Sequence, residues 1–247
     1  MELRPFAGNG PSLSDALFRN ISGIGTYDPS FSEFDSEGRN SYSLGISFSQ
    51  ILSKSLQAAL SLDLVRQEGL LSTPFQRVYF SDREDFYIEN FQLADAVEQL
   101  PDTRNKWALG GRFNYFVNPV LVLRTYYRFY ADDWGIRSNT AEAELPIKIS
   151  PKFTLYPSYR FYQQSATDYF AGYEQHHSTD HYYTSDYDLS KFNASQYGFG
   201  IQYSQIFSKF HIWHFRFKNA RLDYNYYQRN TGLTAHLISG GIKFTEE

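Results

Sequence analysis

Apolar residues recur at every second position over much of this chain, and that alternation limits what the chain can form. The clearest stretch is residues 141–149, where Ala141, Ala143, Leu145, Ile147 and Ile149 alternate with polar or charged residues. After a turn at residues 150–152 the alternation resumes over residues 153–162. A period of two predicts two β-strands in a hairpin, each with one apolar and one polar face.

The same pattern elsewhere predicts about nine strands of roughly ten to thirteen residues each. Tight turns at residues 52–55, 117–119 and 150–152 alternate with longer polar connections at residues 67–102, 131–137 and 164–194. Short turns at one rim and long loops at the other are typical of an outer-membrane β-barrel. Pro146 and Pro157 cannot donate a ladder hydrogen bond, so we expect a bulge or a broken ladder there. The alternation slips near Lys218, which predicts a second bulge.

Charge is concentrated on the polar face of the predicted strands. A dry core cannot hold so many charges, because each unpaired buried ion is costly, whereas a wet lumen or cross-strand pairing can. The residues are Asp63, Lys106, Arg112, Arg124, Arg128, Glu142, Glu144, Lys148, Arg160, Arg221 and Asp223. We therefore predict an all-β, up-and-down antiparallel transmembrane β-barrel in a lipid bilayer, with a soluble barrel as the alternative.

Composition supports this interpretation and excludes several others. Aromatic residues make up 19% of the chain, which suits strands and the headgroup region of a bilayer. The net charge of -4 does not favour a nucleic-acid partner. The absence of cysteine excludes disulfides and thiolate sites. No apolar run is long enough for a transmembrane helix, although a barrel strand needs none.

The predicted organisation is an N-terminal loop segment over residues 1–40 and a barrel domain over residues 41–247. Bacterial barrels of this type have an even number of strands and periplasmic termini. An odd count of about nine therefore suggests that the chain is the C-terminal part of a larger barrel, whose export signal is missing from this sequence.

Several stretches resemble an uncharacterised family of Gram-negative outer-membrane β-barrels, the domain-of-unknown-function 3570 family. They are residues 60–65, GLLSTPF at 69–75, RVYF at 77–80, LPDTR at 100–104, YYRFYADDWG at 126–135, ELPIKI at 144–149 and STDHYYTSDYDLSKF at 178–192. The resemblance covers roughly residues 40–244. It implies an exported barrel longer than this chain, located in the bacterial outer membrane, and it implies no established activity.

The predicted lumen charges give the first functional candidate. Four arginines on neighbouring strands could form a basic stripe that guides anionic solutes. Alternatively, they pair with the neighbouring carboxylates and plug the barrel. The residues assigned to the lumen are Arg112, Arg124, Arg128, Glu142, Glu144, Lys148 and Arg160.

The long-loop rim gives weaker candidates. His177, Asp180 and His181 could bind a divalent metal such as zinc or copper, although their spacing matches no strong motif. The alternative is a Tyr-rich surface loop packed on itself. Asp132 and Asp133 with His181 could activate a water, as in a hydrolase, or the two carboxylates could bind calcium or form a turn.

The sequence therefore ranks three functions. A passive pore for small solutes comes first, followed by a docking barrel whose extracellular loops bind partner proteins. A rim-located hydrolase comes last, so we expect neither an enzyme nor a cofactor. No phosphate-binding loop, dinucleotide fingerprint or Gly-X-Ser-X-Gly motif is present.

Overall fold

A computed structural model describes residues 38–88, 90–205 and 211–246, so the predicted N-terminal loop 1–40 lies outside the described residues except for its last three. The described chain is all-β, with a single 3₁₀ turn at Tyr187–Leu189. Within these ranges, no helix has the length and hydropathy needed to cross a bilayer.

The described strands are of two kinds, long ones in one sheet and two-residue ones beside or outside it. In chain order they are β1 (Arg39–Ser53), β2 (Leu56–Gly69), β3 (Arg77–Val78), β4 (Tyr87–Ile88), β5 (Phe91–Gln92), β6 (Ala96–Val97), β7 (Thr103–Phe116), β8 (Val122–Asp132), β9 (Arg137–Glu144), β10 (Ile147–Lys148), β11 (Phe153–Gln164), β12 (Phe192–Ser204), β13 (His211–Ile212), β14 (Phe215–Arg229) and β15 (Thr234–Glu246).

Nine long strands form one antiparallel sheet in the order β1-β2-β7-β8-β9-β11-β12-β14-β15. Each long strand pairs with the next long strand along the chain, which confirms the predicted up-and-down topology and strand number. Of the described strands, β1 pairs only with β2 and β15 only with β14, so the sheet is open.

The two long loops leave from one edge of the sheet and short turns lie at the other, as predicted. The alternation is incomplete, because residues 133–136 and 230–233 make short connections at the long-loop edge as well. Residues 54–55, 117–121 and 149–152 make short turns at one edge, whereas residues 70–102 and 165–191 leave from the other edge. Side chains fix the short turns. The Asn118 side-chain oxygen accepts hydrogen bonds from the N–H groups of Val120 and Leu121, each at 2.9 Å, and such Asx contacts favour turns.

The break predicted at Pro146 and the bulge predicted near Lys218 are present. The irregularity predicted at Pro157 is not: Pro157 lies inside an unbroken β11, in register with Phe199, and its carbonyl accepts from the Leu145 N–H at 2.9 Å. The ladder breaks at Pro146, because β9 ends at Glu144 and β10 begins at Ile147, while both keep one register against β11. A register shift between Phe217 and Asn219 in β14, opposite β15, confirms the bulge near Lys218. Pro146 has no N–H to donate to a ladder, which explains the first irregularity, and the second is a β-bulge of one extra residue.

The two faces of the sheet differ in the way the alternation predicts. Cross-strand register aligns the apolar positions on one face, and many of these side chains are exposed. They include Leu44, Phe48, Leu60, Leu109, Phe113, Phe199, Leu222 and Ile238. A soluble monomer rarely exposes an apolar surface this extensive.

The chain divides into two compact units. The sheet unit contains Gly38–Leu71, Asp102–Phe170 and Asp186–Glu247, and the described part of the loop unit contains Ser72–Pro101 and Ala171–Ser185. The loop unit therefore consists of parts of both long loops.

The loop unit has a small core of its own. It contains Val78, Phe80, Ala96 and Tyr183, and the rings of Phe80 and Tyr183 meet edge to face with centroids 5.2 Å apart. β3 pairs with β6, and residue Gln99 bridges to Tyr183. The two loops thus fold together, which local sequence patterns did not indicate.

Candidate functional site

The charged face of the sheet is the candidate site, and its shape follows from one ion pair. Glu144 pairs in register with Ser158 of β11, while Arg221 pairs with Gln202, which pairs with Thr154. On a flat sheet, three strand spacings and this four-residue offset would separate the Cα atoms of Glu144 and Arg221 by about 20 Å. Two extended side chains and a hydrogen bond cover roughly 15 Å. Yet Arg221 Nη2 lies 3.2 Å from Glu144 Oε2, so the sheet curves and its charged face is concave.

Glycines on the concave face leave room for these long side chains. A Cβ at Gly200 would collide with the Asp223 carboxylate and would lie 3.3 Å from the Tyr156 Cβ. A Cβ at Gly110 would lie 2.6 Å from the Ser61 Oγ. The absence of side chains at these positions leaves room for side chains of the adjacent strands.

Glu144 is the centre of the ion-pair network. Its Oε1 accepts from Arg124 Nη1 at 2.8 Å, and its Oε2 accepts from Arg221. Arg221 also bonds to Asp223 at 2.8 Å, and its guanidinium carbon lies 4.0 Å from the centroid of the Tyr156 ring. These side chains are 18–47% exposed, so each pair contributes less than about 1 kcal/mol. The main effect of the network is therefore on the distribution of charge over the concave face, and its contribution to the stability of the sheet is small.

The strand register places on this face all seven residues that the sequence assigned to the lumen. Some of them form ion pairs, and the others do not. Arg124 and Glu144 are paired, and Arg128 reaches Asp63 at 3.5 Å across β7. The other four, Arg112, Glu142, Lys148 and Arg160, form no ion pair with any described residue. The Arg112 guanidinium lies 5.5 Å from the centroid of the Tyr126 ring. A depression of about 510 Å³ is lined by Arg112, Asn114, Arg124, Thr125, Tyr126, Glu142 and Glu144.

Asp132 and Asp133 close the turn between β8 and β9. Asp132 is fully buried: Oδ1 accepts from the N–H groups of Trp134 and Ile136, and Oδ2 accepts from Arg104 and the Tyr130 hydroxyl. Asp133 accepts from the backbone and side-chain nitrogens of Asn105 at 3.0 and 2.7 Å. Both carboxylates thus hold the rim together, and the hydrolase hypothesis stays a prediction.

The predicted metal residues lie in the loop unit but do not assemble as ligands. His177 Nδ1 lies 3.2 Å from the Ser81 hydroxyl, Asp180 accepts from the His177 backbone N–H at 3.0 Å, and the His181 ring packs on Tyr182. Over the described ranges, no group of three or more His, Asp or Glu side chains is placed to hold a metal ion.

Buried carboxylates in the loop unit went unnoticed in the sequence. Glu98 accepts from the Thr73 N–H at 2.6 Å and from the Thr184 hydroxyl. Asp95 accepts from the Phe80 N–H at 2.8 Å. Burial raises the pKa of Asp95 above its usual 3.8, and that hydrogen bond only partly opposes the effect.

Replacing Asp95 with asparagine should make the loop unit more resistant to proteolysis at pH 7. A raised carboxyl pKa means that the folded unit binds the proton more tightly than the unfolded chain, so stability falls as pH rises through that pKa. Asp95→Asn removes this penalty and keeps an oxygen for the Phe80 N–H. Its advantage over the parent should disappear below about pH 4, where the parent carboxyl is protonated in both states.

Asp82→Asn is the control of opposite sign. Hydrogen bonds from the Ser178 hydroxyl and N–H lower the pKa of Asp82, so its charged form favours the folded unit. That variant should be cleaved faster than the parent at pH 7. Equal cleavage rates for both variants at pH 7 would contradict the assignment.

The chain matches one family model and is similar to several solved chains. A family model described as "Protein of unknown function (DUF3570)" matches residues 5–244. The chain is similar to the outer membrane channel DcaP of Acinetobacter baumannii, with 9% identity and a TM-score of 0.49, over 88% of this chain and 55% of that chain. No curated protein matches it.

Two structures of OmpT, an outer membrane protein of Vibrio cholerae, are also similar. A loop L8 deletion mutant has 10% identity and a TM-score of 0.40, over 81% of this chain and 62% of that one. The protein folded in vitro has 11% identity and a TM-score of 0.35, over 82% and 59%. The chain therefore spans less than two thirds of the length of each of these three solved chains.

Proposed function

The chain belongs to the DUF3570 family of proteins of unknown function, and we propose that it forms the wall of a membrane-spanning β-barrel in the bacterial outer membrane that lets small solutes pass. The proposal depends most on one observation, the opposite character of the two faces of the sheet. The concave face carries the charges, and the other face exposes large apolar side chains.

This arrangement suits a barrel whose outer, apolar face contacts lipid hydrocarbon and whose inner, charged face contacts water. In a membrane barrel, lipid contacts the apolar face, and a polar lumen hydrates the charged groups. In a soluble barrel the apolar face would instead be concave and sealed. Leu145 and Phe153 are 37% and 38% exposed on the apolar face, whereas Tyr156 is buried on the concave face.

A water-filled passage is favoured over a plugged barrel by the state of the charges. Arg112, Glu142 and Arg160 point to the concave face without an ion pair in the described chain, and a depression adjoins the first two. Free charges on a lumen wall need water, and water-filled lumens conduct ions.

Glu144→Gln should make such a pore prefer anions more strongly. The substitution removes the carboxylate shared by Arg124 and Arg221, so both guanidinium groups face the lumen with less compensation. We expect the anion-to-cation permeability ratio to rise about twofold or more, measured as the reversal potential across a planar bilayer under a salt gradient.

Glu68→Gln is the matched control. Glu68 is paired with Arg66 on the opposite face, so it loses the same charge without changing the lumen. Its reversal potential should equal that of the parent protein. Folded protein that gives no conductance steps would reject the pore.

A docking barrel is the second candidate, and the loop unit is the observation that favours it. Loops with their own core present a fixed surface, and exposed aromatic side chains are frequent at protein interfaces. Phe75, Tyr87, Phe91 and Tyr173 are each at least half exposed in this unit. This function predicts a barrel without conductance that retains a partner protein during purification.

A further inference from the structure

We propose that the concave face holds a binding site for small organic monocarboxylates with an apolar body, in a hollow across β11, β12 and β14. This inference names a class of solute for the proposed pore, and it rests on the proposed function because the solute would reach the hollow from the lumen. The hollow itself is formed by three strands of the sheet. Binding of a carboxylate to it can therefore be measured without any passage of solute.

A small residue between large ones creates the hollow. In register, Ala194 of β12 lies between Tyr162 of β11 and Arg229 of β14. The Ala194 methyl leaves a space of about 300 Å³, at the lower end of the volumes of ligand pockets, so it suits a small molecule. The residues that line it are Arg160, Tyr162, Phe192, Ala194, Ser195, Gln196 and Tyr227.

Arg160 supplies the single charge in the lining. Its cross-strand neighbours are Glu142 and Gln196, yet it forms no ion pair in the described chain. The Gln196 amide donates instead to the Asn225 side-chain oxygen at 3.0 Å. A guanidinium with free donors matches a carboxylate in a bidentate geometry, and one such group fits one carboxylate.

The rings give the hollow its apolar part. Tyr162 and Phe192 have centroids 5.6 Å apart at an interplanar angle of 42°. The Arg229 guanidinium lies 3.9 Å from the Phe192 centroid and is itself paired with Asp188 at 2.8 Å. Because Arg229 already has these partners, it holds the ring in place. Fixed rings beside a free guanidinium favour an aryl or cycloalkyl carboxylate over acetate or an inorganic anion.

Isothermal titration of the detergent-folded protein tests the site with three probes: benzoate, acetate and benzyl alcohol. Benzoate should bind about tenfold or more tightly than either of the others, because only benzoate satisfies both the guanidinium and the rings. Arg160→Gln should weaken benzoate binding about tenfold, and Ala194→Met should weaken it by filling the space. The mobility shift of folded against heated protein on gels shows that each variant folds.

Arg66→Gln is the matched control. Arg66 is paired with Glu68 on the opposite face of the sheet, so the variant loses the same charge without changing the hollow or the concave face. Its benzoate affinity should stay within about twofold of the parent. Equal loss in both arginine variants, equal binding of acetate, or no binding of benzoate would overturn the proposal. Conductance without benzoate binding rejects only this site, and benzoate binding without conductance rejects only the pore.

Discussion

Replacement of Leu222 by arginine should lower the folding equilibrium in lipid vesicles by about 30-fold or more. Leu222 lies at the centre of β14, is 55% exposed and belongs to the apolar face. Arginine on the lipid face of a barrel near the bilayer midplane costs about 2–4 kcal/mol. The measurement is the folded fraction in vesicles over a urea series, read from the gel mobility of unheated samples.

Asn225→Arg is the control on the same strand. Asn225 points to the concave face and accepts a hydrogen bond from Gln196, so an arginine there meets water and loses only one amide contact. We expect its folding to change by about 1 kcal/mol or less. If both variants fold like the parent, the apolar face does not contact lipid, because an arginine substituted on a water-exposed surface changes the folding free energy very little.

Local pattern was sufficient to predict the long strands, their faces and two of their irregularities, but not the register shift between Ile51 and Ser53. Alternation fixes which side chains share a face, Pro146 marks the break between β9 and β10, and the slip near Lys218 marks the bulge in β14. Each of these features depends on residues a few positions apart. Their physical cause is therefore visible in a short window of sequence.

The contacts that shape the candidate site depend on distant residues and were not predictable in that way. Glu144 and Arg221 are 77 residues apart, and their pairing requires the register of three strand pairs together with the curvature of the sheet. Glu98 meets Thr184 across 86 residues because two long loops share a core. Neither loop carries a periodic pattern that indicates its partner.

The glycines of β12 are a sequence feature that could have indicated some of these long-range contacts. Gly198 and Gly200 occupy alternate positions of β12 and lie on the concave face, where long polar side chains could equally stand. A Cβ at Gly198 would collide with the Ser158 and Asn225 side chains, and a Cβ at Gly200 would collide with the Asp223 carboxylate. Alternating glycines on a polar face thus indicate that neighbouring side chains cross that strand.

Asp132→Ala should destabilise the folded protein by about 3 kcal/mol or more, because it leaves a buried arginine without its partner. The Asp132 side chain is 0% exposed and that of Arg104 is 14% exposed. The substitution also removes the acceptor for the N–H groups of Trp134 and Ile136. Trp134 is 3% exposed and lies under the Arg104 guanidinium, so its fluorescence emission should shift to longer wavelength.

Asp133→Ala separates this effect from a general loss of charge at the rim. Asp133 is exposed and bonds only to Asn105 among the described residues, so its removal should cost about 1 kcal/mol and leave Trp134 emission unchanged. Asp132→Asn should lie between the two, because an amide keeps one acceptor and cannot neutralise Arg104. Equal urea midpoints for the two alanine variants would mean that Asp132 is not the residue that holds the rim, since burial is the main difference between the two carboxylates.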